Sequence, residues 1–150
     1  MNSTSNKTYG TRTDKSMKTF VKLERLRLKG HNQTVAYLLQ HDLTFNQFKV
    51  LEVLYHRGDL NISSITKLTM STPGNITVVV KNLKRDGWIT ALKDPTDSRA
   101  SILSITSKGT EVIEKVFPEH SQNLHRMLEV LEDKELDTLY ELLDKVYQAN

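Results

Sequence analysis

Cysteine is absent from all 150 residues, which excludes disulfides, thiolate metal sites and thiol redox sensing. Proline and glycine are scarce, at three and six residues, so few positions force the chain out of regular structure. No apolar run approaches the ~20 residues of a membrane-spanning helix, and the polar N-terminus lacks the apolar core of a secretory signal. A soluble, cytoplasmic protein with no membrane partner is expected. Catalytic signatures are missing as well: no nucleophile with its base, no paired carboxylates and no phosphate-binding loop stand out, so no enzyme is expected. The five histidines are His31, His41, His56, His120 and His125. His120 and His125 stand about 140° apart around a helix, so they make no metal-binding face, and neither metal nor cofactor is expected.

What is present is a globular composition, 37% hydrophobic and 26% charged, of a length that suits a single compact core. The net charge of +3 is unevenly spread. Residues 1–58 hold 10 basic and 4 acidic side chains, residues 59–110 hold 7 and 4, and residues 111–150 hold 4 and 10. A basic front and an acidic tail suit a chain whose first two-thirds meet a polyanion while its last third does something else.

Residues 1–15, rich in Ser, Thr, Asn and Lys, are expected to form a flexible N-terminal arm. Apolar residues from Met17 to Leu39 recur at near-helical spacing, which predicts a first helix over 16–40, kinked or split near Gly30 and His31. Thr44 and Gln47 read as a capping box ahead of Phe48, Leu51, Leu54 and Tyr55, and Gly58 ends that second helix. Asn61 can cap a short helix with Ile62, Ile65 and Leu68 inward. Pro73 suits the first turn of the next helix, whose buried face is Ile76, Val79, Val80 and Leu83 and which stops at Gly87. Two short strands, Trp88 to Lys93 and Ser101 to Ile105, flank a polar turn and predict a β-hairpin. Thr106 caps a long helix that Pro118 kinks or breaks. The last helix carries an apolar stripe, Leu136, Leu139, Tyr140, Leu143, Val146 and Tyr147, that needs a cover.

The short helix and the one opening at Pro73 form a helix-turn-helix, whose second helix can enter a DNA major groove. With Ile76, Val80 and Leu83 inward, Gly74, Thr77, Val78, Lys81 and Arg85 fall on the outer face. Gly74 lets the backbone approach closely, while Thr72, Asn75 and Thr77 offer donors, acceptors and a methyl to base edges. Ser71 stands at the entry to the same helix, whose N-terminal N–H groups favour a phosphate. Lys81 and Arg85 lie where phosphates are the expected targets. At the hairpin tip, Arg99 can reach an adjacent minor groove while Asp97 steadies the loop.

Leu43-Thr44 with Gln47, Leu51, Leu54, Tyr55 and Gly58, then Pro73-Gly74-Asn75-Ile76-Thr77, Leu83, Gly87-Trp88-Ile89, Asp94-Pro95, Asp97-Ser98-Arg99 and Ile105-Thr106 with Gly109, closely resemble the MarR family of bacterial transcription regulators. The resemblance covers residues 43–110. Its most specific part is the hairpin, where an Asp and an Arg separated by one residue precede a strand ending in a hydrophobe and Thr. Ser98 stands where many members carry a second basic residue.

The resemblance implies a mainly α fold with a small β-hairpin wing, a winged helix-turn-helix over 43–106 flanked by helical dimerisation regions over 16–42 and 107–150. It implies a homodimer whose first, fifth and sixth helices pack across a two-fold axis, a repressor on a pseudo-palindromic operator in double-stranded DNA. It also implies a small aromatic or lipophilic effector, for which Tyr37, His41, Phe45, Phe48 and Tyr55 are the candidate lining residues. The rival expectation is a winged-helix protein-protein adaptor that leaves DNA alone.

Overall fold

The computed structural model describes residues 7–97 and 100–150. Among the described residues are six helices and one three-stranded antiparallel sheet, so the fold is mainly α with a small β element. The chain divides into two units, one ending at Gln33 and the other running from Thr34 to Asn150.

Helix α1 spans Thr11–Leu39 without interruption. It begins ahead of the expected start at Ser16, so residues 11–15, expected in a flexible arm, are helical. Asp14 accounts for the early start, accepting the Tyr9 N–H at 3.0 Å and the Thr8 hydroxyl at 2.5 Å and so tying down the first turn. The expected kink at Gly30 and His31 is also absent. A mid-helix glycine costs only about 1 kcal/mol relative to alanine, which a long helix absorbs without breaking. Met17, Phe20, Val21, Leu26 and Leu28 stand exposed along α1.

In the second unit, α2 (Phe45–Arg57) opens on the expected capping box. Thr44 Oγ1 accepts the Gln47 N–H at 3.2 Å and Gln47 Oε1 accepts the Thr44 N–H at 3.0 Å. Gly58 closes it at φ +80°, a backbone conformation that side-chain-bearing residues resist. Strand β1 (Leu60–Asn61) follows, and Asn61 Oδ1 then caps α3 (Ile62–Leu68) by accepting the Ser64 N–H at 2.8 Å. Ile65 is fully buried and Ile62 half-buried, but Leu68, expected inward, is exposed. Steps of three residues fall roughly 60° short of a full turn, so Ile62 and Leu68 flank Ile65 on opposite sides and only one can follow it inward. A helix of seven residues is marginal alone, and burial of Ile65 is what holds it.

Thr72 caps α4 (Pro73–Arg85), with Pro73 in the first turn, and Ile76, Val79, Val80 and Leu83 are buried as the spacing predicts. Strands β2 (Ile89–Lys93) and β3 (Ser101–Ile105) form the hairpin, pairing Ile89 with Ile105 and Lys93 with Ser101. Strand β1 adds to the other edge of β3, pairing Leu60 with Leu103 and Asn61 with Ile102. Two residues are too short to show alternation, so this third strand escapes sequence patterning.

Thr106 caps α5 (Ser107–Leu128), accepting the Gly109 N–H at 3.1 Å. The expected kink or break at Pro118 does not occur and the helix runs through it. Pro118 and Glu114 are both exposed, so the hydrogen bond that proline removes is lost on the solvent side of the helix, where the cost is least. Helix α6 (Asp133–Gln148) opens on a second capping box, Glu132 with Glu135, and buries none of its residues. The core joins Leu38, Leu43, Leu51, Leu54, Ile76, Leu83, Leu103 and Ile113, all buried, and so binds α2, α4, the sheet and α5 into one body.

Candidate nucleic-acid interface

Helix α4 is anchored at both ends. At its start, Thr72 Oγ1 accepts the Asn75 N–H at 3.4 Å. At its finish, Asp86-Gly87-Trp88 is clamped to the beginning of α5 by three contacts. Lys108 Nζ donates to the Asp86 carbonyl at 2.9 Å, Thr106 Oγ1 to that of Gly87 at 2.7 Å, and the Thr106 N–H to that of Trp88 at 3.0 Å. Gly109 lets the two segments meet, because a Cβ there would stand 2.2 Å from the Trp88 carbonyl oxygen. Recognition helix and hairpin therefore share one rigid base.

The predicted outer face of α4 is outward. Gly74, Asn75, Thr77, Val78, Lys81 and Arg85 are all exposed, but their side chains differ in what remains to offer. Thr77 donates its hydroxyl to the Pro73 carbonyl at 2.9 Å, which leaves its lone pairs and methyl for a groove. Among the described residues the Asn75 amide makes no hydrogen bond, so it keeps the donor and acceptor pair that fits an adenine edge. Arg85 is engaged: its guanidinium meets Asp86 at 2.9 and 3.3 Å, and the hydrogen bond to that carboxylate holds its pKa above the usual value. It must leave Asp86, or share it, to reach a phosphate. Among the described residues neither Lys81 nor Lys84 is paired with a carboxylate. With Ile62, Thr77 and Val80 these two lysines line a shallow concavity of about 250 Å³. Lys84 was passed over in sequence, although its place one turn beyond Lys81 and Val80 is the available signal.

The turn into α4 is held from below. Met70 takes a left-handed conformation at φ +51° and is exposed. Ser71 is half-buried, and Lys49 Nζ of α2 reaches both its hydroxyl and the Thr69 carbonyl at 3.0 Å. The ammonium also lies 5.3 Å from the centre of the Phe45 ring. Burial lowers the Lys49 pKa. Nothing local in the sequence marks this lysine, since its partners lie some twenty residues further on.

In the wing, Asp94 is the residue seen to organise the loop. Its Oδ1 accepts the Thr96 hydroxyl at 2.7 Å and the Thr96 N–H at 2.8 Å. Those two bonds, hydroxyl first, hold its carboxyl below the usual range. Asp94 N–H donates to Ala100 O at 3.0 Å and Ala100 N–H to Asp97 O at 2.9 Å, closing the tip. The side chain of Asp97 is exposed. Arg99 lies outside the described residues.

The five residues expected to line an effector cleft fall into separate groups. Tyr37 stacks edge-on to His41 at 4.9 Å and donates its hydroxyl to the Val116 carbonyl at 3.0 Å. Phe48 is buried against His120 at 4.8 Å, and His120 meets Phe117 at 5.9 Å. Tyr55 meets His56 at 5.0 Å, which in turn meets Phe117 at 4.6 Å. Phe45 lies over Lys49. Phe48 and Tyr55 thus belong to a packed run of rings between α2 and α5. His120 itself is buried, its Nδ1 has no partner among the described residues, and burial lowers its pKa.

A helix-turn-helix with a polar outer face, based on the same support as a β-hairpin, defines a winged-helix DNA-binding protein. The MarR family model matches residues 43–101. The HTH-type transcriptional regulator MhqR of Bacillus subtilis (strain 168) is 32% identical over 134 residues, covering 89% of this chain and 92% of that protein. The chain belongs to the MarR family and is a DNA-binding transcriptional regulator. Its fold is shared with a mutant of E. coli MarR solved with operator DNA, at TM-score 0.79 and 23% identity over 89% of this chain and 96% of that one. It is also shared with NadR solved with 4-hydroxyphenylacetate, at TM-score 0.74 and 20% identity over 97% of each chain. Among the described residues no helix is long and apolar enough to cross a membrane.

Proposed function

We propose that the protein is a homodimeric repressor, without enzymatic activity, that sets two winged helices on a pseudo-palindromic operator. The observation that carries this reading is the pairing of an outward, hydrogen-bond-competent face on α4 with a terminal helix, α6, that buries nothing within its own chain. Leu136, Tyr140, Leu143, Val146 and Tyr147 are all exposed on α6, and a second copy is the cover their apolar stripe calls for. A two-fold pair of heads reads half-sites about one helical turn, or a multiple of it, apart.

Gly74, Asn75, Thr77 and Val78 are assigned to base edges, Lys81 and Arg85 to phosphates, Thr72 and Ser71 to the backbone at the helix entry, and Arg99 to the minor groove with Asp97 beside it. Release by a small aromatic or lipophilic molecule is included in the proposal. It draws support from the fold shared with NadR, which was solved with 4-hydroxyphenylacetate. Such a ligand acts by preferring one spacing of the two heads. Tyr37 and His41 remain its best candidate contacts, because both are only half-buried.

Fluorescence anisotropy on a random-sequence duplex at several salt concentrations tests the DNA reading. Binding that weakens steeply with salt is expected, and Lys81→Ala and Arg99→Ala should each flatten the log–log slope by about one. Indifference to duplex DNA at low salt would establish the adaptor instead.

A further inference from the structure

We infer that Lys49 is a positioning residue for DNA binding, acting through Ser71: it holds the serine hydroxyl so that the O–H points outward to a DNA phosphate at the entry to α4. The inference rests on the DNA-binding reading above and adds to it a residue from outside the helix-turn-helix.

The turn contains more acceptors than donors until Lys49 arrives. Thr69 is buried, and its hydroxyl is spent on the Ile65 carbonyl at 2.7 Å. Its own carbonyl needs a partner and receives Lys49 Nζ at 3.0 Å. A second N–H of the same ammonium fills an acceptor site on Ser71 Oγ, also at 3.0 Å. Ser71 has two internal acceptors within reach, Thr69 Oγ1 at 3.0 Å and Thr69 O at 3.3 Å. Neither depends on it, since the carbonyl already has Lys49 and a hydroxyl oxygen tolerates an open lone pair. The Ser71 hydrogen can therefore swing to an incoming phosphate with no buried group left bare.

Charge sharpens the arrangement. Among the described residues no carboxylate pairs with Lys49, and its only other neighbour of note is the Phe45 ring at 5.3 Å. A hydroxyl that accepts from an ammonium becomes the better donor, because the two bonds polarise each other. Ser71 directly precedes Thr72, the cap of α4, so a phosphate held there lies at the end of the helix where N–H groups are open. The alternative role, a phosphate contact by Lys49 itself, requires its third N–H to extend past the turn, and is separable because it releases a counterion.

The test is a double-mutant cycle with Lys49→Met and Ser71→Ala, read by anisotropy on a random-sequence duplex of about 25 base pairs, long enough for two half-sites. Each single variant is expected to weaken binding about fivefold, the equivalent of about 1 kcal/mol for one hydrogen bond. The double variant should be no weaker than the worse single one, and the salt slope should stay unchanged. Additive losses would mean that Lys49 acts on the fold and not through Ser71. A slope lower by about one in Lys49→Met would mean that the ammonium meets the phosphate itself. Either result overturns the inference, as does wild-type binding that both singles retain in full. Failure of the wild-type protein to bind any duplex would remove the parent reading as well, and is recognised before any variant is made. Should Lys49→Met melt early, Lys49→Gln, which keeps a donor but no charge, replaces it with the same expectations.

Discussion

Replacing Gly109 with alanine puts a quantitative question to the joint between the recognition helix and the wing. The added Cβ would stand 2.2 Å from Trp88 O, 2.8 Å from Ile105 Cγ1 and 3.1 Å from Trp88 C. The Ile105 side chain can rotate away, but the Trp88 carbonyl is backbone and is fixed by the Thr106 N–H at 3.0 Å. Relief therefore requires α5 to move away from Trp88, which strains all three bonds that clamp the Asp86-Gly87-Trp88 turn. Overpacking of this kind costs about 1–3 kcal/mol. Alanine returns up to about 1 kcal/mol of helix propensity, and less in a first turn. A net loss of about 2 kcal/mol is expected, which lowers the melting temperature of a chain this size by about 4–8 °C. Trp88 is the only tryptophan and sits at the collision, so its emission should shift along with the melt. A variant that melts at or above the wild-type temperature with unmoved emission would show that the joint is not tightly packed.

Gly74→Ala is the counterpart on the outer face. Nothing lies within 4 Å of its added Cβ, so stability should hold or rise slightly, while duplex affinity falls about tenfold if backbone and groove meet there. Leu143→Glu puts a charge in the exposed α6 stripe and should convert a dimer to protomers in sedimentation velocity, whereas an unchanged mass would place the dimer contact elsewhere. For His120, burial lowers the folded-state pKa, so as pH falls the unfolded chain takes up the proton first. Its contribution to stability is complete above the ordinary histidine value of 6.5 and is lost as pH falls through that value towards the lowered one. Thermal melts from pH 7.5 to 5 should therefore slope less in His120→Phe than in wild type, and equal slopes would contradict the burial argument.

Helix starts were legible because a cap is a local transaction. Thr44 with Gln47, Asn61, Thr72 ahead of Pro73, and Thr106 each sit within three residues of the N–H they bind. The inward face of α4 was legible for the same reason, since Ile76, Val79, Val80 and Leu83 repeat on one helix. What depended on distant partners was not. Leu60 and Asn61 become a strand only because β3 arrives far downstream. Lys49 gains its place from Thr69 and Ser71, and Tyr37 from the Val116 carbonyl. Pro118 and Gly30 were over-read as breakers, because local cost was weighed without the helical residues on either side. In the wing, attention fell on Asp97, while the carboxylate seen to shape the loop is Asp94, whose short Asp-Pro-Thr spacing is an Asx-turn signal.

The pairing of Leu60 with Leu103 has a bearing on how the protein is born. A ribosome delivers the chain from its N-terminus, so the edge strand after α2 leaves the exit tunnel well before its partner has been translated. Until Ile105 is out, the nascent polypeptide holds a finished recognition helix on an unfinished platform. Stalled or truncated products ending short of that residue should therefore be poor competitors for the operator, which protects the promoter from half-made copies of its own regulator.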